Sequence, residues 1–137
     1  MFRTILVPTD FSTSSILAAE HACRMARAIG GGVTFLHVTP GGHGSEAALQ
    51  ARLQAFAGNA RLARPPLLEA AAGRDVASVI LDVAAERRAD LIVLGTGRVG
   101  TVARAVLARA DVPVQVVPRQ FQLHRQPDHR WRQLLCD

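Results

Sequence analysis

Five short apolar runs alternating with four helical patterns predict an α/β fold, a doubly wound, Rossmann-like parallel sheet with helices on both faces. Three observations carry that prediction. The runs Thr4–Val7 and Leu91–Leu94 are almost wholly apolar, as in parallel strands covered on both sides. Between the runs, apolar residues recur at helical spacing. Glycine or proline stands at most points where one period gives way to the other. At 137 residues, 49% hydrophobic and 20% charged, the chain is long enough for one domain with a real core and has an ordinary globular balance.

The elements follow in order. Thr4–Val7 is strand one, and Asp10 or Ser12 caps a first helix over Thr13–Ile29. Ile16, Leu17, Ala19, Ala22, Cys23, Met25, Ala26 and Ile29 form its apolar face. Gly30-Gly31-Gly32 ends it, and Val33–Thr39 is strand two. After a glycine-rich loop, Ser45 and Glu46 open a second helix that runs to about Ala60, with Pro65-Pro66 as a stop. Leu67–Ala71, rich in alanine, is a weak third strand at the sheet edge. Asp75 caps a third helix whose Val76, Val79, Ile80, Val83 and Ala84 share a face. Leu91–Leu94 is strand four, Gly95–Gly100 a glycine-rich turn, Thr101–Ala110 the last helix and Val112–Val117 strand five.

Right-handed crossovers leave few strand orders, and 3-2-1-4-5 is expected. In that order the chain reverses direction between strands one and four, and a crevice opens at their carboxyl ends, where such sheets bind ligands. Pro8-Thr9-Asp10 would line one side and Gly95–Thr101 the other. A glycine-rich turn from strand to helix N-terminus can present free N–H groups to an anion. It can equally be a tight turn in which glycines allow close packing.

Composition removes several functions. All 16 basic residues are arginine, so no P-loop, Schiff-base or general-base lysine exists. The net charge of +5 is spread without a dense basic face, which argues against nucleic-acid binding. Cys23 and Cys136 suggest two free thiols rather than a disulfide framework or metal cluster. No apolar run is long enough for a bilayer, and the N-terminus reads as a strand rather than a signal peptide, so a cytoplasmic protein is expected.

Several stretches together resemble the universal stress protein family. Ile5-Leu6-Val7-Pro8-Thr9-Asp10-Phe11-Ser12 is similar to its opening strand and acidic turn, and Leu36-His37-Val38 to its second strand. Ala89-Asp90-Leu91-Ile92-Val93-Leu94-Gly95 is similar to its fourth strand, and Val102–Leu107 through Val112–Val117 to its ending. The resemblance covers residues 2–118, which gives a domain over 1–118 and leaves 119–137 as a C-terminal extension. It implies the adenine nucleotide alpha hydrolase-like variant of the fold. It also implies a nucleotide site at Pro8, Thr9, Asp10, Val38, Leu94, Gly95, Gly97, Arg98, Gly100, Thr101 and Val102, with ATP or another adenine nucleotide as ligand. In that reading Asp10 accepts from ribose or base, and the Val38 backbone meets adenine.

One departure matters. The ATP-binding branch carries G-x2-G-x9-G-[S/T] after strand four, whereas here Gly95 and Gly100-Thr101 are separated only by residues 96–99. Such a loop can aim amides at one anion, with Arg98 adding a charge-assisted bond, but has too little chain to embrace three phosphates. The expected protein is therefore a dimeric stress-response binding or signalling module with a degenerate ATP loop. The alternative is a working adenine-nucleotide switch. An enzyme is not expected, since no catalytic triad or framed carboxylate pair can be placed at a common strand end.

The remaining residues carry weaker signals. Asp10 is either a helix cap or a ligand acceptor, and His37 reads as a hydrogen-bonded core histidine. His124, Asp128 and His129 lack a third convincing metal ligand, so no metal is expected. In the extension, Trp131 between Arg130 and Arg132 has the composition of an interface anchor or of a frayed end. Strand five is an apolar edge that needs covering, and the family commonly pairs it in a two-fold dimer, which gives an expected homodimer through Val112–Val117. A further protein partner is expected but not identified by the sequence.

Overall fold

The computed structural model describes residues 3–39, 46–58, 60, 62, 64–95 and 101–118. Its elements are β1 (Thr4–Pro8), α1 (Thr13–Ile29), β2 (Gly32–Thr39), α2 (Glu46–Ala57), β3 (Leu67–Ala72), α3 (Val76–Glu86), β4 (Leu91–Gly95), α4 (Thr101–Arg109) and β5 (Val114–Val117). The sheet has the order β3-β2-β1-β4-β5, and every pair is parallel.

Strand alternation splits the core in two. Ile5, Val7, Val33, Phe35, Leu91 and Val93 point to one face and pack with Ile16, Leu17, Ala22 and Cys23 of α1 and with Leu53 and Phe56 of α2. Leu6, Leu36, Val38, Ile92 and Leu94 point to the other and pack with Ile80 and Val83 of α3 and with Ala103 and Val106 of α4. A central strand buried on both sides must be apolar at every position, hence the unbroken Ile5-Leu6-Val7.

Local chemistry fixes the joints. Ser12 caps α1, its Oγ accepting from the Ser15 N–H at 3.3 Å. Gly30 ends α1 at φ 72°, and its N–H reaches the Ala26 carbonyl. Asp75 caps α3, accepting from the Ser78 N–H at 3.2 Å. At the sheet's centre Asp90 accepts from the N–H groups of Arg3 (2.8 Å) and Thr4 (3.0 Å), pinning the start of β1 to the start of β4.

Several boundaries differ by a residue or more from those read in the sequence: β2 begins at Gly32, β3 runs to Ala72 and α4 ends at Arg109, and four others have a local cause. β5 begins at Val114, not Val112, because the ladder starts where Val114 pairs with Ile92; Pro113, without an N–H, contributes only its carbonyl to the Ile92 N–H. α2 ends at Ala57 rather than Ala60, with Gly58 closing on the Gln54 carbonyl. β1 gains Pro8, which pairs with Leu36, and β4 gains Gly95, which pairs with Val117. Among the described residues no helix is long and apolar enough to cross a membrane.

Candidate functional site

A cleft of about 320 Å³ opens at the carboxyl ends of β1, β2 and β4, at the switch point of the sheet. That volume lies at the small end of ligand pockets, roughly 300–1,000 Å³. Pro8, Thr9 and Asp10 form one wall with Ser12 and Ser15 of the first turn of α1. Leu36, His37 and Val38 close the β2 side, and Leu94 and Gly95 the β4 side. Val76 and Ile80 of α3 and Val102 of α4 complete an apolar back.

The turn after β1 is tightly specified. The buried Thr9 donates its N–H to the Leu36 carbonyl at 2.7 Å. A short hydroxyl chain follows: the Phe11 N–H donates to Thr9 Oγ1 (2.9 Å), Thr9 Oγ1 to Ser15 Oγ (3.0 Å), and Ser15 Oγ to the Ser12 carbonyl (2.9 Å). These bonds satisfy hydroxyls that would otherwise be costly to bury. Asp10 stays exposed at the rim, and its Oδ1 accepts from the Ser12 N–H at 2.9 Å. Partial burial pushes the Asp10 carboxyl up, but hydrogen bonds from the Ser12 side chain and backbone and from Ser15 outweigh it. The group therefore sits below the ordinary carboxylate value and is ionised at neutral pH. The two sequence readings of Asp10 thus separate: Ser12 is the cap of α1, and Asp10 is a rim acceptor that closes an Asx turn.

Gly95 has a steric duty. A Cβ at this position would lie 2.1 Å from the Ser14 carbonyl oxygen, 2.4 Å from its carbon and 2.9 Å from the Ser15 nitrogen. The first turn of α1 therefore rests directly on the end of β4, and only glycine permits that approach.

Of the residues expected at the site, Pro8, Thr9, Asp10, Val38, Leu94, Gly95 and Val102 border the cleft. Thr101 is exposed at the start of α4 and is not among the described lining residues. Gly97, Arg98 and Gly100 lie outside the described residues, as do Cys136 and the extension with His124, Asp128, His129 and Trp131. Sequence reasoning missed Ser12, Ser15, Leu36, His37, Val76 and Ile80 as lining residues. Val76 and Ile80 were visible only as the apolar face of α3, and a core stripe looks the same whether a strand or a ligand covers it. His37 makes the hydrogen bond expected of it but is not a core residue. It is only half-buried, its Nδ1 lies 2.8 Å from the Thr9 carbonyl, and its ring stacks on Phe11 at 4.9 Å. Because a carbonyl can only accept, Nδ1 carries the proton.

The comparisons agree with this geometry. The model of the universal stress protein family matches residues 1–118. A universal stress protein from Archaeoglobus fulgidus, solved in complex with dAMP, is 28% identical with a TM-score of 0.71, covering 83% of this chain and 96% of that one. One from Lactobacillus plantarum is 25% identical with a TM-score of 0.65, covering 84% and 97%. A third, solved with cAMP, is 23% identical with a TM-score of 0.72, covering 85% and 97%, and supports the fold alone. No curated protein is significantly similar in sequence. With the sheet order, the switch-point cleft and a match over the whole of β1 to β5 in agreement, the chain belongs to the universal stress protein family.

Proposed function

We propose that this chain is a stress-response binding and signalling module that works without turnover, as a cytoplasmic homodimer, and whose triphosphate loop is degenerate. The single observation that carries the reading is the length of the connection between β4 and α4: residues 96–99 stand between Gly95 and Gly100. Three phosphates need several N–H donors wrapped around them, and so short a loop supplies too few. The absence of turnover is supported by the cleft wall, where Asp10 and His37 are the titratable side chains among the described lining residues and His37 is engaged with Thr9. Dimerisation is supported by β5, an edge strand whose Val114 and Val116 are only partly buried in one chain.

A second reading has its own observation. The described part of the cleft offers an ionised acceptor at Asp10 and an apolar back from Val38, Val76 and Ile80, which suits an adenosine group. A similar protein was solved with dAMP, whose single phosphate suits a short loop. This favours a switch occupied by an adenine nucleotide of the AMP class. Native mass spectrometry of protein purified from cells tests both readings. A dimer carrying no nucleotide supports the first, a dimer with retained AMP the second, and a monomer or retained ATP overturns the proposal.

A further inference from the structure

Phe11 adopts φ 63°, a conformation that a bulky L-residue holds only when its surroundings impose it. The constraints are visible. Its N–H is fixed on Thr9 Oγ1 at 2.9 Å, and its ring stacks on His37 with an interplanar angle of 27°. The guanidinium carbon of Arg52 lies over the ring, 4.2 Å from the centroid, and Phe56 meets it edge-on at 5.7 Å. His37 is itself tied down by donating to the Thr9 carbonyl. Arg52 and Phe56 belong to α2, which contributes none of the described lining residues of the cleft. Asp10, immediately before Phe11, stands at its rim.

We propose that the Arg52–Phe11–His37 stack is a positioning device for the cleft: it locks the left-handed turn that presents the Asp10 carboxylate to a ligand hydroxyl or amine, and so couples ligand affinity to the seating of α2. Neither Arg52 nor Phe11 touches the ligand in this account; both act through Asp10. Linkage makes the coupling reciprocal, so a ligand held by Asp10 steadies α2. The inference rests on the adenine-nucleotide reading for its ligand, but its geometry stands in the empty protein as well. The hydrogen bonds that hold Asp10 below its usual value exist only while the turn is in place.

The test uses two readouts on the full chain: the titration of the Asp10 carboxyl by carbon NMR without ligand, and AMP affinity by calorimetry. Phe11→Ala loses the ring and keeps the steric penalty at positive φ, whereas Phe11→Gly loses the ring but adopts the turn freely. Phe11→Ala should return the Asp10 titration toward the ordinary value and weaken AMP about tenfold. Phe11→Gly should recover part of both, an order that loss of packing alone would not produce. At the exposed Arg52, Arg52→Ala should weaken AMP about threefold and Arg52→Lys should rescue it. If Phe11→Ala fails to fold, the Arg52 pair decides. Unchanged Asp10 titration in Arg52→Ala and Phe11→Ala overturns the proposal, as does Phe11→Gly faring no better than Phe11→Ala. A wild-type protein that does not bind AMP contradicts the nucleotide reading instead, and the titration still decides the stack.

Discussion

Replacing Gly95 by alanine is the sharpest perturbation of the scaffold that builds the cleft. The added methyl would meet three backbone atoms of α1, the nearest at 2.1 Å. Backbone cannot rotate aside as a side chain does, so the end of β4 and the first turn of α1 must part by roughly 1 Å to regain ordinary contact. Overpacking of this kind costs about 1–3 kcal/mol, and a clash with the backbone of a 17-residue helix belongs at the upper end, about 3 kcal/mol. For a domain of this size that lowers Tm by roughly 10 °C. Urea unfolding followed by circular dichroism measures the loss, and Gly30→Ala is the internal control. At Gly30 no atom lies within 4 Å of the added Cβ, and only the positive φ of 72° is penalised, at about 1 kcal/mol. If Gly95→Ala loses no more than Gly30→Ala, close approach is not what requires glycine at the end of β4.

Three further outcomes follow from the same contacts. Ser12→Ala should lose about 1 kcal/mol of stability by removing the α1 cap, and Ser12→Asp should restore most of it; chemical denaturation reads both. Asp10 and Asp75 each have a folded-state pKa below the ordinary value, so their contribution is present above that value and lost as pH falls through the lowered one. Acid titration of stability should therefore steepen below about pH 4, and Asp10→Asn should flatten part of that slope. Val116→Asp on the β5 edge should shift sedimentation from dimer to monomer, whereas Ala70→Asp on the opposite edge strand should not.

The fold was legible because its determinants are local or periodic. Ile5-Leu6-Val7 announces a strand buried on both faces, Gly30 a helix end, and Asp75 a helix start. Crossover handedness narrowed the strand orders to a few, and the expected one, 3-2-1-4-5, is the order observed. The site was legible only along its strand ends, where Pro8, Thr9, Asp10, Val38, Leu94 and Gly95 must converge once the order is known. What the sequence concealed are features created by elements meeting. Gly95 reads as a loop glycine until α1 is laid on it. Phe11 reads as an apolar residue before a cap, with no sign that His37, Arg52 and Phe56 hold it at positive φ. Val76 and Ile80 satisfy the same helical period whether they cover a strand or floor a pocket.

The central claim is that the β4–α4 connection is too short to hold a nucleoside triphosphate. Calorimetric titration of the purified full chain with AMP and with ATP in the presence of magnesium is the decisive measurement. With a degenerate loop, ATP should bind no more tightly than AMP, and magnesium should make no difference. Tight ATP binding that depends on magnesium and exceeds that of AMP would contradict it.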